Sequence, residues 1–290
     1  MKQRTIVLGS SGMAGHILTH YLLGKNSSDV IDIGPRRKIR PETLLCDILD
    51  QGSLKSAILE SRPNVIVNCM GVLVKASELR KKEAVWINAY LPHFLSELCI
   101  ASGIRLIHLS TDCVFSGKSG PYREDAYRDG DAFYDRSKAL GEIIDDKALT
   151  IRTSIIGPEL RSDGTGLFDW VMAQHGKVNG YREAFWSGVT TLELARAIGF
   201  FIENNTDLRG LIHYSVPGGI SKYQLLMKMN EVFDLELEII GVDKPKLDKR
   251  LLSTRADIGV VPVDYSAQLK ELKKWIDSHP DLYSNYLEKT

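Results

Sequence analysis

The apolar run Thr5–Leu8 stops at Gly9, and Gly12 and Gly15 follow at the start of a helical pattern. A strand that ends in glycine and opens directly into a helix constrains this chain more than any other feature. The backbone must turn tightly, and the first amides of the helix are left without partners inside it. Such a helix start attracts an anion, and the G-x-x-G-x-x-G spacing suits close approach of a pyrophosphate. Apolar runs of strand length recur at Val30–Ile33, Val65–Cys69, Leu106–Leu109, Thr150–Ile156 and Leu211–Val216. Between them Met13–Leu23, Ser53–Ser61, Glu83–Ala101, Ser137–Asp145 and Thr191–Glu203 carry helical periodicity, with Gly24 and Gly103 as stops. Strands that are continuously apolar are buried on both faces, and parallel pairing of them requires crossover helices. The rhythm predicts an α/β protein with a right-handed, doubly wound parallel sheet.

After about residue 157 the pattern loosens through Gly157-Pro158 and a Ser162–Gly166 stretch into short mixed elements. Residues 1–160 are expected to form the nucleotide domain, with 190–216 returning to it, and 161–290 to form mainly a substrate-covering subdomain. Ser266–Ile276 reads as an amphipathic surface helix. Lys plus Arg and Asp plus Glu balance at 37 each, so no global field favours nucleic acid or an anionic membrane, and a small molecule is the expected partner. The cysteines Cys46, Cys69, Cys99 and Cys113 show no CxxC spacing and read as reduced thiols, which points to a cytoplasmic protein. No run is long and apolar enough for a signal peptide or a membrane span.

Asp32, at the end of the second strand, could accept from adenosine ribose hydroxyls, whereas Arg36 and Arg37 just beyond it could clamp a 2′-phosphate with planar donor forks. The arginines tilt the expectation to NADPH, with NADH open. Asp47 and Ile48 would suit contact with the adenine, and Asn68-Cys69-Met70-Gly71 ends the third strand of the pattern where a backbone must pass a cofactor.

A carbonyl reduction needs a proton for the developing alkoxide, and Tyr134 could supply it. Lys138 follows four residues later on the same helical face, spaced to lower the phenol's pKa and hold a ribose, and Thr111 at a strand end could bind the same oxygen. Tyr21 and Lys25 repeat the Y-x-x-x-K spacing but have no strand-end hydroxyl upstream, so they read as coincidental. His16 and His20 share a helical face without a third ligand, and no metal is expected. Arg80-Lys81-Lys82 reads as a solvated helix start, and Met227 and Met229 as filler.

Val7-Leu8-Gly9 with the glycine triplet, Ser110-Thr111-Asp112-Cys113-Val114-Phe115, Gly120-Pro121-Tyr122 with Glu124, Tyr134 to Glu142, and Ile151-Arg152-Thr153-Ser154 together resemble the extended short-chain dehydrogenases. Within them the chain is most similar to the dTDP-4-dehydrorhamnose reductases and related nucleotide-sugar 4-ketoreductases. The resemblance implies a Rossmann-type sheet with a smaller C-terminal substrate-binding subdomain. It implies Thr111, Tyr134 and Lys138 as the catalytic set. The cofactor would be lined by Gly9, Gly12, Met13, Asp32, Asp47, Cys69, Met70 and Gly71. Thr153 and Ser154 would lie beside nicotinamide and sugar, Asp112 would support the site with Cys113 next to it, and Asn88 would brace it.

Asp135 stands where the family usually has glycine, and Asp129-Gly130-Asp131 replaces a proline-bearing approach. Ile155 stands where a tryptophan is common, which makes Trp186 the candidate aromatic wall. A 4,6-dehydratase would carry glutamate at Cys113, so elimination is disfavoured. A 4-epimerase with bound NAD, or a cofactor-binding regulatory protein like the methionine adenosyltransferase β-subunit, stays open, as does a homodimeric assembly.

Overall fold

The computed structural model describes residues 2–26, 28–161 and 164–287; Ser162 and Asp163 of the Gly-rich stretch lie outside them. Strands β1 (Gln3–Leu8), β2 (Ser28–Gly34), β3 (Leu44–Leu45), β4 (Val65–Asn68), β5 (Arg105–Thr111) and β6 (Leu149–Thr153) build the main sheet with Gly210–His213. Its seven strands run in the order Gly210–His213, β6, β5, β4, β1, β2, β3. Every neighbouring pair is parallel.

The continuous apolar runs have the cause the sequence suggested. Val7, Val67, Ile107 and Ile151 face one core, which includes Ile17, Leu18 and Leu22 of helix α1 (Met13–Lys25) and Ile198 and Phe201 of the helix Thr191–Glu203. Ile6, Leu8, Ile66 and Leu106 face the other, against Leu54 and Ile58 of α2 (Gln51–Ser61) and Leu91 and Leu95 of Leu91–Ser102. Successive residues thus bury on opposite faces. The order reverses between β1 and β4, which leaves a crevice at their carboxyl ends.

The expected strand Thr150–Ile156 divides into Leu149–Thr153 of the main sheet and Ile155–Ile156, which pairs with Val189–Thr190, and three expected helices differ. Helix α1 runs through Gly24 and is stopped by Asn26 in the left-handed conformation at φ 52°. The helix expected over Glu83–Ala101 is Lys81–Ala84, a π-helical turn Val85–Tyr90 and Leu91–Ser102. Pro92 has no amide to bond the carbonyl of Asn88 four residues earlier, which frees that carbonyl where the turn widens. The expected Ser137–Asp145 helix is instead Phe133–Leu140. It begins earlier because the Asp135 carboxylate accepts from the Ala132 amide at 3.3 Å, tying down the first turn.

In the C-terminal half, Ala184–Trp186 lies between Ile220–Ser221 and Leu247–Asp248, and Lys177–Tyr181 pairs with Glu238–Val242. The last helix, Pro280–Leu287, sends Tyr283 back to His16 of α1, where its hydroxyl meets Nε2 at 2.9 Å. Among the described residues no helix is long and apolar enough to cross a membrane.

Candidate active site

At the β1–α1 turn the glycines are required by close approach. Gly9 sits at φ +90°, and a Cβ on Gly15 would stand 2.1 Å from the Gly9 carbonyl oxygen. Helix α1 has no side-chain cap and no acid in its first turn, so its positive end faces the crevice. Cys69 and Met70 close over this turn, a Cβ at Gly9 standing 2.8 Å from the Met70 sulfur. Gly71 follows beside Asn88. Met13 reaches Gly166 across the crevice.

Asp32 is placed differently from the expectation. It lies two residues before the strand end, fully buried, and its carboxylate accepts from Arg40 Nε at 2.6 Å. A carboxylate so enclosed is not presented to a ribose. The residue beside Ser10 and Ser11 at the strand end is Gly34. Arg36 and Arg37 follow it, both exposed, with Arg36 3.7 Å from Glu83 and Arg37 donating to the Leu160 carbonyl at 2.8 Å. Asp47 is exposed and accepts from the Leu49 amide at 2.9 Å, while Ile48 is buried and its carbonyl accepts from the Trp86 indole at 2.9 Å.

Thr111, Tyr134 and Lys138 do meet at the carboxyl end of β5, all buried. Thr111 Oγ1 accepts from the Cys113 amide at 3.1 Å and donates to Asp112 at 3.2 Å. Burial raises the Tyr134 pKa, reinforced by Cys113, while a hydrogen bond with Thr111 acts in the opposite direction. The phenol therefore holds its proton. Lys138 Nζ donates to the Leu109 carbonyl at 2.7 Å, and burial brings its pKa down to about 8 against the attraction of Glu142 and Cys69. Thr153 stands opposite Thr111 in register, and Ser154 hydrogen-bonds Asp112.

The motif residues around this centre are structural, and sequence reasoning missed most of them. Glu142 accepts from Arg152 at 2.8 and 2.7 Å, from Ser110 at 2.6 Å and from Arg128 at 3.2 Å, all around a buried carboxylate. Opposite charges in two separated motifs were the signal available. Asn88 accepts from the Val72 amide at 2.8 Å and donates to Ser137 at 3.1 Å, linking the loop after β4 to the Tyr134 helix. Gly141 lets that helix end on the Asn88 carbonyl, which a Cβ would approach to 1.9 Å. Asp129 clasps Ser116 through 2.8 and 2.6 Å bonds, and Gly130 lies where a Cβ would stand 2.5 Å from the Cys113 carbonyl.

Trp186 is no open wall. It is buried, tilted against Tyr265 with ring centres 5.8 Å apart, and covered by Lys222, whose Nζ lies 4.7 Å from the ring centre. Tyr21 and Lys25 form a cation–π pair at 5.5 Å on α1, with Gly24 in helical conformation between them. His16 is held between the Gly12 carbonyl and Tyr283, and among the described residues no cluster of His, Cys, Asp and Glu could hold a metal. All four cysteines are free.

Residues 3–244 match the family described as the RmlD substrate binding domain. The chain belongs to this family. This RmlD-type chain is 34% identical over 160 residues to a dTDP-4-dehydrorhamnose reductase of Streptomyces griseus, a match spanning 53% of the chain and 50% of that protein. It is 29% identical over 248 residues to methionine adenosyltransferase 2 subunit beta of Danio rerio, covering 80% of the chain and 75% of the relative. Among solved structures, a dTDP-4-dehydrorhamnose reductase of Bacillus anthracis in complex with NADP superposes with a TM-score of 0.80 at 20% identity, over 95% of this chain and all of that one. The Rossmann-like fold is thereby shared.

Proposed function

We propose that this protein is an NADPH-dependent reductase acting on the 4-keto group of a nucleotide-activated deoxysugar. The observation that carries this reading is the convergence of Thr111, Tyr134 and Lys138 at the carboxyl end of β5, beside a helix start lacking any cap or acid. The reductase relatives supply the substrate class.

The cradle made by Gly9, Gly12 and Gly15, with the loop Cys69–Gly71, fits a dinucleotide, since side chains at Gly9 or Gly15 would fill it. When bound, the nicotinamide supplies the hydride to the carbonyl carbon. The chain's own residues do the rest. Tyr134 keeps its proton and delivers it to the alkoxide oxygen as negative charge develops there. Thr111 holds the same oxygen, and Lys138, fixed on the Leu109 carbonyl, is at hand for the ribose and for the tyrosinate left behind. Absence of a carboxylate at Gly34, with Arg36 and Arg37 beyond it, favours the 2′-phosphate of NADPH.

Incubation with NADPH and a panel of nucleotide 4-keto-6-deoxysugars, followed by absorbance and product NMR, tests the proposal; reduction of at least one sugar is expected, and no turnover with any would refute it. A second reading, a cofactor-binding regulatory subunit, is favoured by the longer alignment with the methionine adenosyltransferase relative. Tight binding of a protein partner without turnover would support that reading.

A further inference from the structure

Two lysines of the C-terminal half converge on the substrate end of the site. Lys222 is the first residue of the helix Lys222–Phe233, which starts directly after the strand Ile220–Ser221 and so is fixed beside Trp186. Lys249 follows the strand Leu247–Asp248, whose neighbours are laced to the loop after β5 by Asp248–Gly117 and Tyr122–Arg250 backbone bonds of 2.8 Å each. The charges of both lysines act on Asp112, Lys222 also couples to Cys113, and Lys249 to Cys113 and Asp135.

Neither ammonium donates a hydrogen bond or stands in an ion pair among the described residues. Both are only partly exposed, and the charge of Lys249 acts on Lys222. Drawing two cations together with unused donors is unfavourable unless something anionic completes them. Asp112 is the acid that acts most strongly on Lys222, but it is itself buried, and burial pushes the pKa of both Asp112 and Asp135 upward, so two lysines share acids that are themselves poorly solvated. Other lysines of the chain, such as Lys228 on Ser266 at 2.8 Å and Lys273 on Asp234 at 2.7 Å, have found acceptors.

We propose that Lys222 and Lys249 form an anion seat over Trp186, which takes an oxyanion of the substrate, either its diphosphate or a carboxylate on the sugar. The identity of the ligand as substrate rests on the reductase reading; the seat itself does not. It also explains why Trp186 is no stacking wall, since the ammonium of Lys222 occupies its face.

Burial lowers Lys222 to about 8, with Lys249 acting in the same direction, so an anion seated there should return the proton. Binding at pH 8 should therefore take up protons, and affinity should fall as the pH rises further. Isothermal titration of the NADPH-loaded protein with inorganic pyrophosphate, dTDP and glucuronate, in buffers of different ionisation enthalpy, reads both quantities. Lys222→Met and Lys249→Met are each expected to weaken binding of at least one probe about 10-fold or more, with Lys222→Arg and Lys249→Arg recovering most of it. Proton uptake should vanish in Lys222→Met. Response to pyrophosphate and dTDP assigns the diphosphate, and response to glucuronate alone assigns a sugar carboxylate. Unchanged affinity for all three probes in both methionine variants, with NADPH binding intact, would overturn the seat. Failure of every nucleotide sugar to turn over would instead remove the reductase reading and leave these affinities to stand on their own.

Discussion

Asp135 stands where the resembling family has a glycine beside the tyrosine, and its carboxylate caps the first turn of the helix that carries Tyr134. The roles of single residues here are set by what each side chain touches. Glu142 is the clearest case, a buried carboxylate with Arg152 across two hydrogen bonds. Glu142→Gln leaves the Arg152 cation without its counter-charge, and urea unfolding should show a loss on the order of 3 kcal/mol. At the cofactor end, Arg36→Ala/Arg37→Ala should weaken NADPH about 10-fold or more by fluorescence titration while leaving NADH nearly unchanged. Equal losses for both cofactors would remove the 2′-phosphate assignment. Thr111, Tyr134 and Lys138 were legible in the sequence because hydroxyl, phenol and amine sit at fixed distances from a strand end. Lys222 and Lys249 were not, since only the folded chain brings them to Asp112 from more than a hundred residues away. Asp32 was misread because its register within β2, two residues short of the end, is decided by pairing rather than by composition.

At the scale of elements, strands read well because burial on both faces demands unbroken apolar runs. Helix ends read less well. The start of the Tyr134 helix depends on a capping carboxylate, and its end depends on Gly141 meeting the Asn88 carbonyl of a different helix. The π turn at Val85–Tyr90 left only Pro92 as its sign. These contacts make the helix position a tertiary property, and Gly141→Ala tests it. With a Cβ 1.9 Å from that carbonyl the helix must shift, so the variant should lose roughly 2 kcal/mol or more of stability and most of its turnover. A normal melting temperature with full activity would contradict this account of the helix. Gly15→Ala crowds the Gly9 carbonyl in the same way and should abolish measurable NADPH binding before it unfolds the sheet.

Over the whole molecule, the C-terminal segment is tied back to the first helix through Tyr283 and His16. Burial lowers His16 to about 4 from 6.5 and lowers His20 as well. At His16 the unfolded chain then binds a proton near pH 6.5 that the native state accepts only near 4. Stability from these groups is complete above 6.5 and is lost as the pH falls through that window, by roughly 3 kcal/mol for His16. Urea midpoints measured from pH 7.5 to 4 should fall accordingly, and His16→Asn should flatten the slope. An unaltered slope in that variant would place the acid sensitivity elsewhere. On the proposed function, the sheet's carboxyl end holds a proton donor against a dinucleotide cradle. The most direct test is single-turnover NADPH oxidation with a nucleotide 4-keto-6-deoxysugar by the native protein and by Tyr134→Phe. The account predicts NADPH binding equal in both and a rate at least about 10²-fold lower in the variant. Equal rates in the two proteins would contradict it.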